Sequence, residues 1–216
     1  MSSAATIKEP RWPALVAIFA VGALYYALPE FLTPGPSWVV PVLVVVLSIP
    51  AMIAHRLGAY TIAHAIGYTS LSIVTLAMLA SLALLVLGLP AKKETPEQLL
   101  VSAACLWVSN MLIFASWYWR LDAGGPHQRD LRGAHTDGAF LFPQMMLDPE
   151  LREEMGEQDW RPGFVDYLFL AFNTSTAFSP TDVPVLSRWA KGLMMIQASI
   201  SLATLAILAA RAINIL

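Results

Sequence analysis

Hydroxyl, amide and carboxylate side chains crowd into one short stretch near the C-terminal end of the chain. Residues 173–184 read Asn-Thr-Ser-Thr-Ala-Phe-Ser-Pro-Thr-Asp-Val-Pro, and the two prolines prevent a continuous helix through them. Irregular backbone inside a membrane persists only where protein buries it or where it lines a watery cavity. Rings of hydroxyls and carboxylates favour cations in such cavities. The pattern therefore predicts a cation pathway, with the candidates Thr174, Thr176, Ser179, Thr181, Asp182, Gln197 and Ser201.

The residues of this stretch also have a purely structural interpretation. Thr174, Ser175 and Thr176 can bond to the carbonyls of their own helix instead of lining a pore. Asp182 can cap the next helix, or pair with Arg188, instead of binding an ion. Both interpretations remain open at the level of the sequence.

A polar stripe follows in the last apolar run. Gln197, Ser201 and Thr204 are spaced i, i+4 and i+7, so they share one face of a helix. Small polar residues on one face usually indicate helix packing, whereas a water-lined face is the less common alternative. Ser109 and Asn110, in an earlier apolar run, are the predicted partners of this stripe.

No residue pattern indicates an enzyme, a cofactor or a metal site. The four histidines, at positions 55, 64, 127 and 135, lack the i, i+4 spacing typical of zinc ligands on a helix. The glycine patterns of a P-loop, a dinucleotide-binding turn and a nucleophile elbow are absent. Cys105 is the single cysteine, so an internal disulfide is impossible. A net charge of −2 gives no reason to expect a nucleic-acid partner.

The elements that carry these residues are predicted to be membrane-spanning helices. Hydrophobic residues make up 57% of the chain and charged residues 13%, against about 25% charged in an average soluble domain. Because so little charge cannot cover a water-facing surface, the partner of the apolar surface is predicted to be a lipid bilayer. A span needs about 20 mostly apolar residues. Five runs qualify or come close: Trp12–Leu28, Trp38–Ala54, Ile66–Leu89, Gln98–Trp119 and Gly192–Ala210.

The polar segments divide the chain into three parts. Residues 1–119 are predicted to hold four spans, residues 120–163 a polar extramembrane loop, and residues 164–216 a pore-like module. In that module Phe164–Phe178 is too short to cross, so we expect a re-entrant half-helix at Phe164–Asn173 and non-helical backbone from Thr174 to Pro184. The fold class is therefore all-α, with about five spans and one re-entrant segment.

The distribution of basic residues predicts the orientation. With five spans, ten of the 13 lysines and arginines fall on the side of the N-terminus and of the 120–191 region. Cytoplasmic loops are richer in these residues, so we expect the N-terminus inside and the C-terminus outside. The expected location is the inner membrane of a bacterial cell.

Part of the C-terminal module resembles the pore module of tetrameric potassium channels. The resemblance covers about Asp166 to Ala210, where Thr174, Thr176 and Asp182 match its hydroxyls and filter-end carboxylate, and where Trp189 and Lys191 open its inner helix. It implies a homo-oligomer, as in the tetrameric channels, and monovalent cations as partners. The filter stretch Ala-Phe-Ser-Pro-Thr lacks the family's glycines, which permit the backbone angles of a selective filter. The resemblance therefore implies poor discrimination among cations.

The C-terminal third also resembles an uncharacterised family of bacterial multi-pass membrane proteins, known as a domain of unknown function. The matching residues are Asp166-Tyr167, Phe169, Phe172, Thr181-Asp182-Val183, Ser187-Arg188 and Asn214. This resemblance implies a membrane fold and brings no activity.

Three functions are therefore open. The first is an oligomeric, weakly selective cation pore, and the alternative is a non-conducting scaffold or partner-binding protein that keeps the pore-like layout. The third, a transporter of small solutes or lipids, often shows inverted repeats, and the sequence contains none.

Overall fold

The computed structural model describes residues 9–88, 95–132, 135–177 and 182–212. Within these ranges the chain forms eight α-helices joined by turns, with one isolated antiparallel bridge between Phe140 and Val185. The helices are α1 (Trp12–Tyr26), α2 (Val39–Arg56), α3 (Tyr60–Gly88), α4 (Pro96–Leu121), α5 (Pro126–Arg132), α6 (Pro149–Glu154), α7 (Phe164–Thr176) and α8 (Arg188–Ala212).

Four helical segments are long and apolar enough to cross a membrane: Val39–Arg56, Tyr60–Gly88, Glu97–Arg132 and Arg188–Ala210. They correspond to α2, α3, α8 and a segment that begins in α4. The helix α1 is apolar as well but has 15 residues, which at about 1.5 Å per residue is shorter than a hydrocarbon core of about 30 Å. Large apolar side chains such as Val46 and Ile49 of α2 point outward. These features agree with the expected all-α membrane class.

Several helices begin or end at residues other than those that bound the predicted apolar runs. The helix α3 begins at Tyr60, six residues before the predicted Ile66, because its first turns carry polar residues that a hydropathy pattern leaves out. The helix α2 continues past Pro50 to Arg56. At the start of α4, Thr95 accepts a hydrogen bond from the backbone N–H of Gln98 (3.2 Å), and Gln98 accepts one from the N–H of Thr95 (3.1 Å).

The helix α4 is the centre of the bundle, in contact with α1, α3, α7 and α8. Its residues Ala103, Ile113, Ala115 and Tyr118 have no exposed surface. Small residues such as Ala103 and Ala115 let neighbouring helices approach closely, which strengthens packing in lipid. The helix α4 therefore fixes where both halves of the chain meet.

A buried carboxylate organises the chain that follows α4. Asp122 is fully buried and accepts hydrogen bonds from the backbone N–H of Ala139 (2.5 Å) and from the hydroxyl of Tyr167 (2.7 Å). The Nε2 atom of His135 lies 3.0 Å from the same carboxylate. Asp122 thus joins the end of α4, the long loop and the start of α7.

A buried arginine extends this cluster to the N-terminal segment. Arg129 donates to the carbonyls of Trp119 (2.9 Å) and Asp122 (2.8 Å) and to the Glu9 carboxylate (2.9 Å). Burial raises the pKa of the Glu9 carboxyl, although the charge of Arg129 acts in the opposite direction. Glu9 also accepts a hydrogen bond from the indole of Trp119. The segment that leads into α1 is therefore fastened beside the end of α4.

The long loop packs against the bundle. Phe140 and Phe142 are buried, and Phe140 meets the rings of Tyr118, Tyr167 and Trp189. Within this loop, the helix α6 begins at Pro149, ends at Glu154 and has no buried residue.

Replacing Tyr167 by phenylalanine tests the cluster around Asp122. The variant leaves the Asp122 carboxylate without its hydroxyl donor, and an orphaned buried polar group costs about 1–3 kcal/mol. We expect Tyr167→Phe to lower the free energy of unfolding in detergent by that amount. The matched control is Tyr26→Phe, since the side chain of Tyr26 is 65% exposed. Equal stability of the two variants would contradict the assignment.

Candidate functional site

The helix α7 carries the first of the candidate pathway residues. The hydroxyl of Thr174 donates to the carbonyl of Leu170 (2.8 Å), and that of Thr176 donates to the carbonyl of Phe172 (2.9 Å). The helix therefore continues to Thr176, and the prediction of non-helical backbone from Thr174 is wrong for these three residues. The reason is physical: a hydroxyl that bonds to its own helix needs no other partner.

Gln197 of α8 is the centre of a buried polar network. It is fully buried, and its amide nitrogen donates to the carbonyl of Ala171 (2.7 Å) and to the hydroxyl of Ser175 (2.8 Å). Its amide oxygen accepts from the hydroxyl of Tyr118 (2.5 Å). Both amide hydrogens and the amide oxygen are thus bonded inside one chain.

The same network includes Ser201 and the predicted partner Asn110. The hydroxyl of Ser201 donates to the carbonyl of Ser175 (2.7 Å) and accepts from the indole of Trp107 (2.9 Å). The side-chain amide of Asn110 donates to the carbonyl of Gln197 (3.3 Å), as the sequence led us to expect. These bonds favour the packing interpretation of the polar stripe over a water-lined face.

The other candidate residues are not brought together with this network. Thr176 and Asp182 are exposed, whereas Ser179 and Thr181 lie outside the described residues. At the start of α8 the N–H of Ala190 bonds to the hydroxyl of Ser187 (3.3 Å), so Ser187 supplies the cap for which Asp182 was a candidate.

A second site lies at the opposite side of α4 and was not predicted. It is a pocket of about 280 Å³ between α1, α2, α3 and the end of α4. Its basic lining residues are Arg11, His55, Arg56, His64 and Arg120. None of the described residues that line the pocket is acidic. The pocket thus collects positive charge from the ends of three helices, through Arg11, Arg56 and Arg120.

Arg120 is the distinctive residue of this pocket. Its guanidinium packs over Gly67 so closely that a Cβ at that position would overlap it. It also lies 5.6 Å from the ring centre of Trp119. Arg11 has an ion pair with Asp130 at 2.7 Å, but among the described residues no carboxylate lies within ion-pairing distance of Arg120. Its charge therefore faces the pocket without an internal counter-charge.

The inner part of the pocket is apolar and contains one unusual hydroxyl. Leu15, Leu47 and Leu71 line it. Ser70 is 7% exposed, and its hydroxyl has no hydrogen-bond partner in the described part of the chain. The neighbouring hydroxyl of Thr69 instead donates to the carbonyl of Ala65 (2.9 Å). Ser70 therefore lines the pocket and carries a buried hydroxyl without a partner among the described residues.

The predicted orientation of the chain in the membrane gave one indication of this pocket. Arg11, Arg56 and Arg120 stand at the ends of different apolar runs, and all three fall on the same predicted side of the membrane. Their convergence could not be read from the sequence, because it depends on which helix ends are neighbours.

Replacing Gln197 by leucine tests the packing role of the stripe. The change keeps the side-chain size but orphans the hydroxyl of Tyr118 and removes both amide donors, at about 1–3 kcal/mol per buried group. We expect a lower unfolding temperature in detergent. Ser199→Ala is the control, because Ser199 is exposed on the same helix. An unchanged unfolding temperature for Gln197→Leu would argue against the network.

Comparisons with protein-family models, with curated proteins and with solved structures find no match for this chain. The two resemblances noted in the sequence therefore stay predictions. The function has to be argued from the residues of the two sites and from their geometry.

Proposed function

We propose that this protein is a multi-pass membrane protein that binds an anionic ligand in the pocket between α1, α2, α3 and α4. The observation that carries the proposal is the guanidinium of Arg120, which faces the pocket without a carboxylate among the described residues. A charge removed from water costs several kcal/mol unless it is paired. A bound anion supplies the missing partner.

The other basic groups support an anion rather than a neutral ligand. Arg11 and Arg56 share the pocket with Arg120, and among the described residues the one carboxylate paired with a lining arginine is that of Asp130, on Arg11. A cleft lined by one sign of charge between low-dielectric walls concentrates ligands of the opposite sign.

The proposed topology places this pocket at a membrane surface. We propose that α1 is a fifth span and that the N-terminus is cytoplasmic. The ion pair of Arg11 with Asp130 (2.7 Å) and the stacking of Tyr60 on His127 (3.8 Å) hold the starts of α1 and α3 beside the loop that follows α4. Basic pockets between spans on the cytoplasmic side are typical sites for anionic headgroups.

Replacing Arg120 by glutamine tests this function. We expect anion binding, measured in a neutral detergent with decanoate, acetate and inorganic phosphate, to weaken about 10–100-fold, because a hydrogen bond to a charged group is worth about 1.5–3 kcal/mol. Arg132→Gln is the matched control, since it removes the same charge from an exposed side chain. Without added anion, Arg120→Gln should be at least as stable as the unmodified protein. A loss of stability without any change in anion binding would refute the proposal.

A second candidate, a weakly selective cation pore in a homo-oligomer, rests on the path of the chain around α7. Tyr167 in α7 bonds to Asp122 at the loop side (2.7 Å). After α7, the N–H of Leu186 bonds to the carbonyl of Ala139 in the same loop (2.8 Å). We therefore propose that α7 and the segment after it form a re-entrant hairpin. The exposed residues Thr176 and Asp182 would then line an axis between protomers.

A flux assay in liposomes separates this candidate from the first. If the pore exists, Asp182→Asn should lower potassium and sodium flux and leave chloride flux unchanged, because a carboxylate ring attracts cations. Asp159→Asn, at an exposed position of the loop, is the control. Flux no greater than in protein-free liposomes would remove the pore candidate and leave the anion pocket unaffected.

A further inference from the structure

We propose that the ligand of the pocket is a single-chain amphiphile, with one carboxylate or phosphate at Arg120 and an apolar chain directed toward Leu47 and Leu71. The inference rests on the anion-binding function proposed above and adds the class of the ligand. The shared chemistry is one anionic group at the end of one short apolar chain.

Three of the four helices around the pocket change from basic to apolar in the same direction. On α1 the lining runs from Arg11 to Ile18, and on α3 it runs from His64 to Leu71. Each of these seven-residue steps spans about 10 Å of helix. The helix α2 makes the same change in reverse chain order, from Arg56 back to Leu47. A small hydrophilic anion would fill only the basic end.

The volume of the pocket limits the size of the ligand. The pocket holds about 280 Å³, and a cavity of about 150 Å³ accommodates benzene. Because the pocket is almost twice as large as the benzene-binding cavity, a ligand of roughly a dozen non-hydrogen atoms fits in it. One chain of about ten carbons with a carboxylate meets this limit, whereas a phospholipid with two long chains exceeds it.

Ser70, whose hydroxyl has no partner among the described residues, lies at the apolar end of the pocket. On α3 the hydroxyls of Thr69 and Thr75 bond to carbonyls four residues earlier (2.9 and 2.6 Å), but that of Ser70 has no partner among the described residues. Ser70 lies six residues, or about 9 Å of helix, beyond His64. A side chain enlarged at this position would occupy the space assigned to the apolar chain.

The test uses the purified full-length protein in a neutral detergent, with free ligand fixed by dialysis and bound ligand counted by native mass spectrometry. The probes are decanoate, decanol, acetate and inorganic phosphate, together with decyl phosphate as a second headgroup. We expect one decanoate or decyl phosphate per chain, bound at least tenfold more tightly than decanol, acetate or inorganic phosphate. From acetate upward, affinity should rise about fourfold per added methylene, as expected for apolar burial, and stop rising near ten carbons.

Two variants test whether the charged and apolar ends of the ligand lie at the basic and apolar ends of the pocket. Arg120→Gln should remove the preference for decanoate over decanol, and Ser70→Leu should shorten the chain length at which affinity stops rising. Ser199→Leu, on the exposed face of α8, is the control for the added volume. The chain-length series on the unmodified protein keeps the inference testable if Ser70→Leu does not fold.

The binding results distinguish a failure of the amphiphile inference from a failure of the anion-binding function. If acetate or inorganic phosphate binds as tightly as decanoate, and this binding depends on Arg120, the amphiphile inference is wrong and the anion-binding function stands. If decanol binds as tightly as decanoate regardless of Arg120, or if no probe binds, the proposed function itself is wrong.

Discussion

The carboxylate of Asp122, buried at the point where α4 ends, is the interaction on which the arrangement of the chain depends. Its side chain holds the loop through Ala139 and the start of α7 through Tyr167. Its backbone carbonyl helps to hold Arg129, which in turn binds Glu9 ahead of α1. A buried charge costs several kcal/mol unless it is paired and hydrogen-bonded, so the segments that satisfy Asp122 are held in fixed positions. Both candidate sites depend on those positions.

The two polar sites of the protein differ in how completely their groups are satisfied. Around Gln197 each amide hydrogen and the amide oxygen has a partner within the chain. Around Arg120 the described part of the chain offers aromatic and backbone neighbours but no counter-charge. The fully bonded amide of Gln197 makes the packing of α4, α7 and α8 specific. Arg120, in contrast, has no counter-charge among the described residues, and for that reason we propose a bound ligand.

Much of the helical framework could be predicted, because apolar length and caps are local properties. The contact of Asn110 with the stripe followed from spacing along two helices. The start of α3 at Tyr60 was missed, since a hydropathy pattern does not include polar helical turns at the end of a span. The half-helix of the C-terminal module was predicted three residues too short, because its hydroxyls bond within the helix.

The pocket could not be predicted, because it exists only where the ends of four helices converge. In the sequence, Arg120 directly follows one apolar run and His64 precedes another. What sets Arg120 apart is its position against Gly67 on the neighbouring helix α3. Contacts between different helices cannot be deduced from the hydrophobic periodicity of any single helix.

The space for the Arg120 guanidinium is provided by a missing side chain on another helix. Because Gly67 belongs to α3 and Arg120 to α4, the charge fits only at one relative position of the two helices. Sliding α3 along α4 by one turn, about 5.4 Å, would bring a residue with a side chain, such as Leu71, against the guanidinium and push it away. The position of the pocket's charge is thus coupled to the register of α3 against α4.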